Sequence, residues 1–217
     1  MNIQNLHSKI FTVGRITPTG VKLLGTCFLL NKSGLLATAS HVTNNDNTNL
    51  VIFVSNNTNL TTYQDTSNNS GSTIPVTIYK VDPIRDICIL QIQQNVFSDF
   101  EISGSDDINV ANNVGIVGFP HCVNGRNVLT YQSTEIGAKV LIESSGIKSK
   151  HLILNIQTRP GQSGSPIFRT SDSHIVGMII GSYVPNNNSG ISLSGIDPQT
   201  LHQTTHAVST EYISKMI

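Results

Sequence analysis

Tryptophan is absent from the 217 residues, cysteine occurs three times, and charged residues make up only 12% of the chain, with acids and bases in balance. Each scarcity excludes something. A formal net charge of zero creates no broad field to gather nucleic acid, anionic lipid or an acidic substrate, so neither nucleic acid nor a membrane is expected as a partner. Cys27, Cys88 and Cys122 cannot all pair within one chain, and they lack the close spacing of a zinc site. They are expected as buried, reduced thiols. No stretch approaches the ~20 apolar residues of a membrane span, and positions 1–20 hold no secretory apolar run. With Met1 as the start, a cytoplasmic protein is expected. The sequons at Asn56, Asn59, Asn68 and Asn187 point weakly the other way, but such matches arise by chance in a chain so rich in Asn, Ser and Thr.

What is present is a succession of short runs with β-branched residues between turn formers: 22–30, 50–54, 75–81, 87–92, 113–118, 139–142, 152–157, 166–168 and 175–182. That pattern predicts an all-β sandwich or barrel, in a chain long enough to bury a core without disulfides. Two polar stretches, 43–49 continued by 56–73, and 186–194, read as solvated loops. The segment 98–113 reads as the connection between two β-rich blocks. Helical periodicity is confined to the end, where Ser209 is expected to cap a short helix over 210–217 with Tyr212, Ile213 and Met216 on its buried side.

The chemistry concentrates in three segments. In Arg159-Pro160-Gly161-Gln162-Ser163-Gly164-Ser165-Pro166, glycines on both sides of Ser163 permit a tight turn that lifts the hydroxyl out and aims nearby amides at one point. Serine is inert at neutral pH without a base, so a histidine and a carboxylate to orient it are needed. His41 follows an apolar hairpin with a Lys32-Ser33-Gly34 turn. Between the two lies Asp82-Pro83-Ile84-Arg85-Asp86-Ile87-Cys88, in which either Asp82 or Asp86 could serve, Asp86 being the one that leads directly into an apolar strand. The remaining histidines, His7, His121, His151, His174, His202 and His206, lack metal-ligand spacing and read as packing or surface residues, and no cysteine sits in a glycine turn.

Together these segments, in the order His, Asp, Ser, resemble the chymotrypsin-fold, trypsin-like serine proteases over about residues 25–182, nearest to their HtrA-like and glutamyl-endopeptidase-like bacterial branches without the appended peptide-binding domain. The resemblance implies two antiparallel six-stranded β-barrels, 1–105 and 106–217, with the site between them and a short closing helix. It implies a serine endopeptidase with His41, Asp86 and Ser163 as the triad, the amides of Gly161 and Ser163 as oxyanion hole, and no metal or organic cofactor. By position Gln157, Thr158, Ile179 and Gly181 should line the pocket for the residue before the cleaved bond. A protein or peptide is the expected substrate, with an uncharged small or medium side chain preferred. The expected role is processing of a specific protein; oligomeric state leaves no sequence signal. Three departures stand out: Gln162 replaces the aspartate that pairs with a freshly cut N-terminus, so trimming is not the expected trigger; Val42 replaces the cysteine that would bridge Cys27; and apolar Ile180 stands where a serine supports the catalytic aspartate. Two alternatives remain: a protease-like module that only grips a peptide strand, and a viral or secreted protease released from a precursor.

Overall fold

The computed structural model describes residues 3–183 and 204–217. Its first half carries β1 (Ile10–Thr17), β2 (Gly20–Leu29), β3 (Leu35–Ala39), β4 (Leu50–Ser55), β5 (Gly71–Pro75), β6 (Thr77–Asp82) and β7 (Ile87–Gln91), in the spatial order β5-β4-β1-β2-β3-β7-β6. The two outer strands are one strand broken at Val76. Pro75 has no N–H to give a ladder, and the Val76 N–H turns to the Leu50 carbonyl at 3.2 Å while its side chain enters the core. From there β5 pairs with β4 and β6 with β7, so the seven segments close as a six-stranded barrel.

The second half holds β8 (Asn113–Gly118), β9 (Thr130–Ser144), β10 (Ile147–Leu154), β11 (Pro166–Arg169), β12 (Ile175–Tyr183) and β13 (Thr204–Ser209), a closed barrel in the order β10-β13-β12-β11-β8-β9. All its pairings are antiparallel. The intervening segment contributes a single 3-10 turn at Ser105–Asp107 and packs Phe100 edge-on against Phe168, with ring centroids 5.1 Å apart.

The core is in three parts, and strand alternation explains how. Cys27 and Leu29 of β2, with Cys88 and Leu90 of β7, fill the first barrel. The alternate residues Phe28, Ile87 and Ile89 face outward, yet they are buried against Val117, Phe168, Met178 and Val208 of the second half. Strands β2 and β7 are therefore apolar on both faces, which is why they read as continuous apolar runs. Ile116, Ile136, Leu152, Ile167 and Val176 fill the second barrel.

Several expectations need correction. Strand β1 was not anticipated, because Gly14 and Arg15 interrupt its pattern at a bulge between Val13 and Gly14. Residues 71–73, read as loop, form most of β5, and β13 was read as no strand at all. Residues 155–157, read as strand, lie beyond the end of β10. The loop expected at 186–194 lies outside the described residues. The terminal helix α2 spans only Glu211–Ser214; Ser209 ends β13, and Thr210 at the N-cap makes no side-chain capping bond. Ile213 is nonetheless fully buried, with Tyr212 and Met216 packed on the same cluster.

Candidate active site

Strand β3 ends at Ala39 and passes into a single helical turn, α1 (Ser40–Thr43), which carries His41 out of the sheet with half its side chain exposed. Asp86 approaches from the neighbouring strand β7, one residue before Ile87, which pairs with Ala39. Its backbone is left-handed, φ 57°, a conformation that costs a non-glycine residue on the order of 1 kcal/mol. Three hydrogen bonds offset that cost. The Asp86 carbonyl accepts the Ser40 N–H at 3.0 Å, Oδ1 accepts the His41 N–H at 2.9 Å, and Oδ2 lies 2.6 Å from His41 Nδ1. One carboxylate thus fixes both the backbone and the ring of the histidine. Asp82, the other candidate, is engaged elsewhere, with Arg85 Nη1 at 2.6 Å.

Ser163 comes from the loop between β10 and β11, and its position depends on a residue that sequence reasoning missed. Thr26, fully buried on β2, donates its N–H to the Ser163 carbonyl (2.9 Å) and its hydroxyl to the Gly161 carbonyl (2.8 Å), while its own carbonyl accepts the Thr38 hydroxyl (2.7 Å). A threonine in an apolar strand looks like an ordinary β-former. Its only signal was polarity at a position where neighbours are buried. The His41 and Ser163 segments meet across Gly25: a Cβ there would lie 2.7 Å from a Val42 methyl and 3.1 Å from the Ser163 carbonyl oxygen.

The loop's amides are not all paired. The His121 N–H binds the Pro160 carbonyl at 2.6 Å; since a trans peptide points its C=O and N–H in opposite directions, the Gly161 N–H faces away from His121. Among the described residues neither the Gly161 nor the Ser163 N–H has a hydrogen-bond acceptor, although buried loop amides are normally paired. Gln162, 1% exposed, secures the loop without charge: its Oε1 accepts the Arg159 N–H at 2.7 Å and its Nε2 donates to Gln132 Oε1 at 2.5 Å.

The residues expected around the substrate side chain fare unevenly. Thr158 binds through its N–H to Thr205 Oγ1 (3.0 Å) and lies 3.4 Å from Ser182 Oγ. Gly181 pairs with His206, and among the described residues a Cβ there would meet nothing within 4 Å. Gln157 accepts Arg159 Nη1 at 3.2 Å. Ile179 is the correction: 1% exposed, it packs into the second barrel, and it reaches the serine loop only through its backbone, N–H to the Ser165 carbonyl and carbonyl to the Gly164 N–H. Thr205 and Ser182 were not anticipated. Ile180 occupies the bulge between Ile179 and Gly181 and packs against the inter-barrel core.

The cysteines are free and buried, as expected. Burial pushes the Cys88 thiol up to about 11 and that of Cys122 up to about 12, and raises Cys27 further, so none is a ready nucleophile. Among the described residues no cluster of three or more His, Cys, Asp or Glu could hold a metal ion.

Residues 25–178 match the family described as the trypsin-like peptidase domain. The chain belongs to this family. It is a serine peptidase by that membership, and its architecture agrees with solved structures at low identity. The MamO protease domain from Magnetospirillum magneticum superposes with a TM-score of 0.68 at 13% identity, covering 98% of this chain and 97% of that one. The Rv3671c protease from M. tuberculosis in its active form gives 0.67 at 13%, covering 97% and 79%. The HtrA-type protease AlgW with a tripeptide gives 0.64 at 17%; the match covers 95% of the peptidase and 58% of the AlgW chain. No protein with a curated description matches it in sequence.

Proposed function

We propose that the peptidase is an endopeptidase acting through an acyl-enzyme, with Ser163 as nucleophile, His41 as general base and Asp86 as the group that orients His41. The observation that carries this reading is the two-oxygen grip of Asp86 on His41, 2.6 Å to Nδ1 and 2.9 Å to the amide, beside a serine loop in which two N–H groups have no partner among the described residues. In the first step Ser163 Oγ bonds to the scissile carbonyl carbon, its proton passes to His41 Nε2, and the oxyanion accepts from the Gly161 and Ser163 amides. His41 returns the proton to the leaving amine, and water repeats the sequence in reverse. Labelling with a fluorophosphonate tests the reading directly, because only an activated serine is modified. Wild type should label and Ser163→Ala should not. Asp86→Asn should lower kcat by about 10⁴, measured on any cleaved peptide. Failure of wild type to label, with peptide still bound, would instead favour a peptide-gripping module without turnover.

The hydroxyls of Thr158, Ser182 and Thr205, with Gln157 and Gly181 beside them, support a preference for an uncharged, small or medium side chain before the cleaved bond. None of these five residues carries a charge, and the Arg159 guanidinium bonded to Gln157 is exposed. A peptide library cut after Lys, Arg, Asp or Glu would reject this preference while leaving the triad standing. Three unpaired buried thiols support a reducing compartment, and with it a cytoplasmic processing role on a specific protein.

A further inference from the structure

Among the described residues the Asp86 carboxylate accepts hydrogen bonds from His41 alone. Its aim therefore depends on the turn 82–86 that carries it. Asp82 closes that turn: Oδ1 accepts the N–H groups of Ile84 (3.1 Å) and Arg85 (3.2 Å), and Oδ2 takes Arg85 Nη1 at 2.6 Å. The Arg85 guanidinium then lies over the ring of Tyr212, 4.3 Å from the centroid, and Lys215 Nζ is 5.3 Å from the same centroid. Tyr212 is itself anchored on the second barrel, its hydroxyl accepting the Lys150 N–H at 2.9 Å, next to fully buried Ile213. A ring from the end of the chain thus presses on the residue adjacent to the carboxylate.

We propose that Tyr212 is a positioning residue for the peptidase, holding Arg85 against Asp82 and so fixing the left-handed turn from which Asp86 grips His41. This role rests on the triad reading above. Arg85 is suited to it by its planarity, because a guanidinium stacks on a ring while keeping its edge donors for a carboxylate, which a lysine ammonium cannot do. The contact joins a residue of the second half to a turn of the first, so the C-terminal segment participates in organising the site as well as in closing the core.

The test compares Tyr212→Ala, Tyr212→Phe and Arg85→Lys. Tyr212→Ala and Arg85→Lys should each lower kcat about 10- to 100-fold, the scale of a small misplacement of catalytic groups, with KM unchanged; Tyr212→Phe, which keeps the stacked ring and loses only the hydroxyl's bond to the Lys150 N–H, should lose less than either. A second readout needs no turnover. In a Ser163→Ala background the low-field proton between His41 Nδ1 and Asp86, followed by NMR, should exchange faster with water in Tyr212→Ala and Arg85→Lys, and more slowly in Tyr212→Phe than in either. Equal protection in Tyr212→Ala and its parent would overturn the proposal, as would equal losses in Tyr212→Phe and Tyr212→Ala. Should wild type fail to label with fluorophosphonate, the triad reading falls while the proton measurement still reports on the clamp.

Discussion

Gly164 follows Ser163 with φ +86°, and a Cβ on it would stand 2.0 Å from the Thr26 carbonyl oxygen and 2.5 Å from Thr38 Oγ1. Neither neighbour can retreat cheaply, since the Thr38 hydroxyl is bonded to that same carbonyl. Gly164→Ala is therefore expected to displace the serine loop from β2. Overpacking of this kind costs about 1–3 kcal/mol, and a shift near 1 Å at Ser163, the nucleophile proposed above, costs about 100-fold in rate. The drop in melting temperature and the rate of fluorophosphonate labelling check both. An unchanged labelling rate would mean that the loop finds its place without Thr26. The contrast between Gly164 and Thr26 also marks what could be read from the chain. Acyl transfer demands particular residue types, so Ser163 with its glycines, His41 and Asp86 stood out as a set. Thr26, Ser182 and Thr205 did not, because a hydroxyl residue in a strand has the same composition whether it pairs with a loop or faces water.

At the scale of elements, alternation made the central strands legible and the peripheral ones obscure. β2, β3 and β7 are buried on one or both faces and announce themselves as apolar runs. β13 (Thr204–Ser209) carries two threonines, a histidine and a serine, yet Thr205, Ala207 and Ser209 point into the protein, where small polar groups are satisfied by partners distant in sequence. Such partners leave no local mark. The turn after β13 shows how much one of them carries. Thr210, fully buried, directs its hydroxyl at the Ser103 carbonyl (2.8 Å) and the Ile175 carbonyl (2.9 Å), tying the inter-barrel segment and β12 to the start of α2. Thr210→Val keeps the shape and removes the donor, leaving the Ser103 carbonyl short of a partner, while the Ile175 carbonyl keeps the Ser103 N–H at 2.9 Å. A loss of about 1–3 kcal/mol in denaturant unfolding is expected, with Thr210→Ser close to wild type; equal stability of the valine variant would show that water replaces the hydroxyl.

The whole molecule is two barrels sharing a buried seam, and the seam's polar inclusions set its response to acid. His151, on β10 beside Val208 of β13 and Val140 of β9, is 5% exposed, and its Nδ1 has no hydrogen-bond partner among the described residues. Burial, with His206 and the Arg85 cation nearby, pushes its pKa down to about 4. Burial lowers His206 as well. Both imidazoles stay neutral in the folded protein at pH values where the unfolded chain, near 6.5, already binds protons. Between about 6.5 and 4 the unfolded state thus holds more protons, so stability falls as the pH falls through that window. For His151 the separation corresponds to at most about 3–4 kcal/mol, at about 1.4 kcal/mol per pH unit. Asp172 loses stability on acidification too, but lower down: its carboxylate, held to about 2 by Arg169, contributes fully above its ordinary value of 3.8 and is lost only below it. The two windows separate the groups experimentally. In urea unfolding at stepped pH, wild type should weaken steadily from pH 6.5 to 4, whereas His151→Leu, with no buried imidazole at that position to charge, should show a shallower slope there and an unchanged one below pH 4. Parallel curves for the two proteins across the upper window would mean that the acid response of the seam comes from groups other than His151.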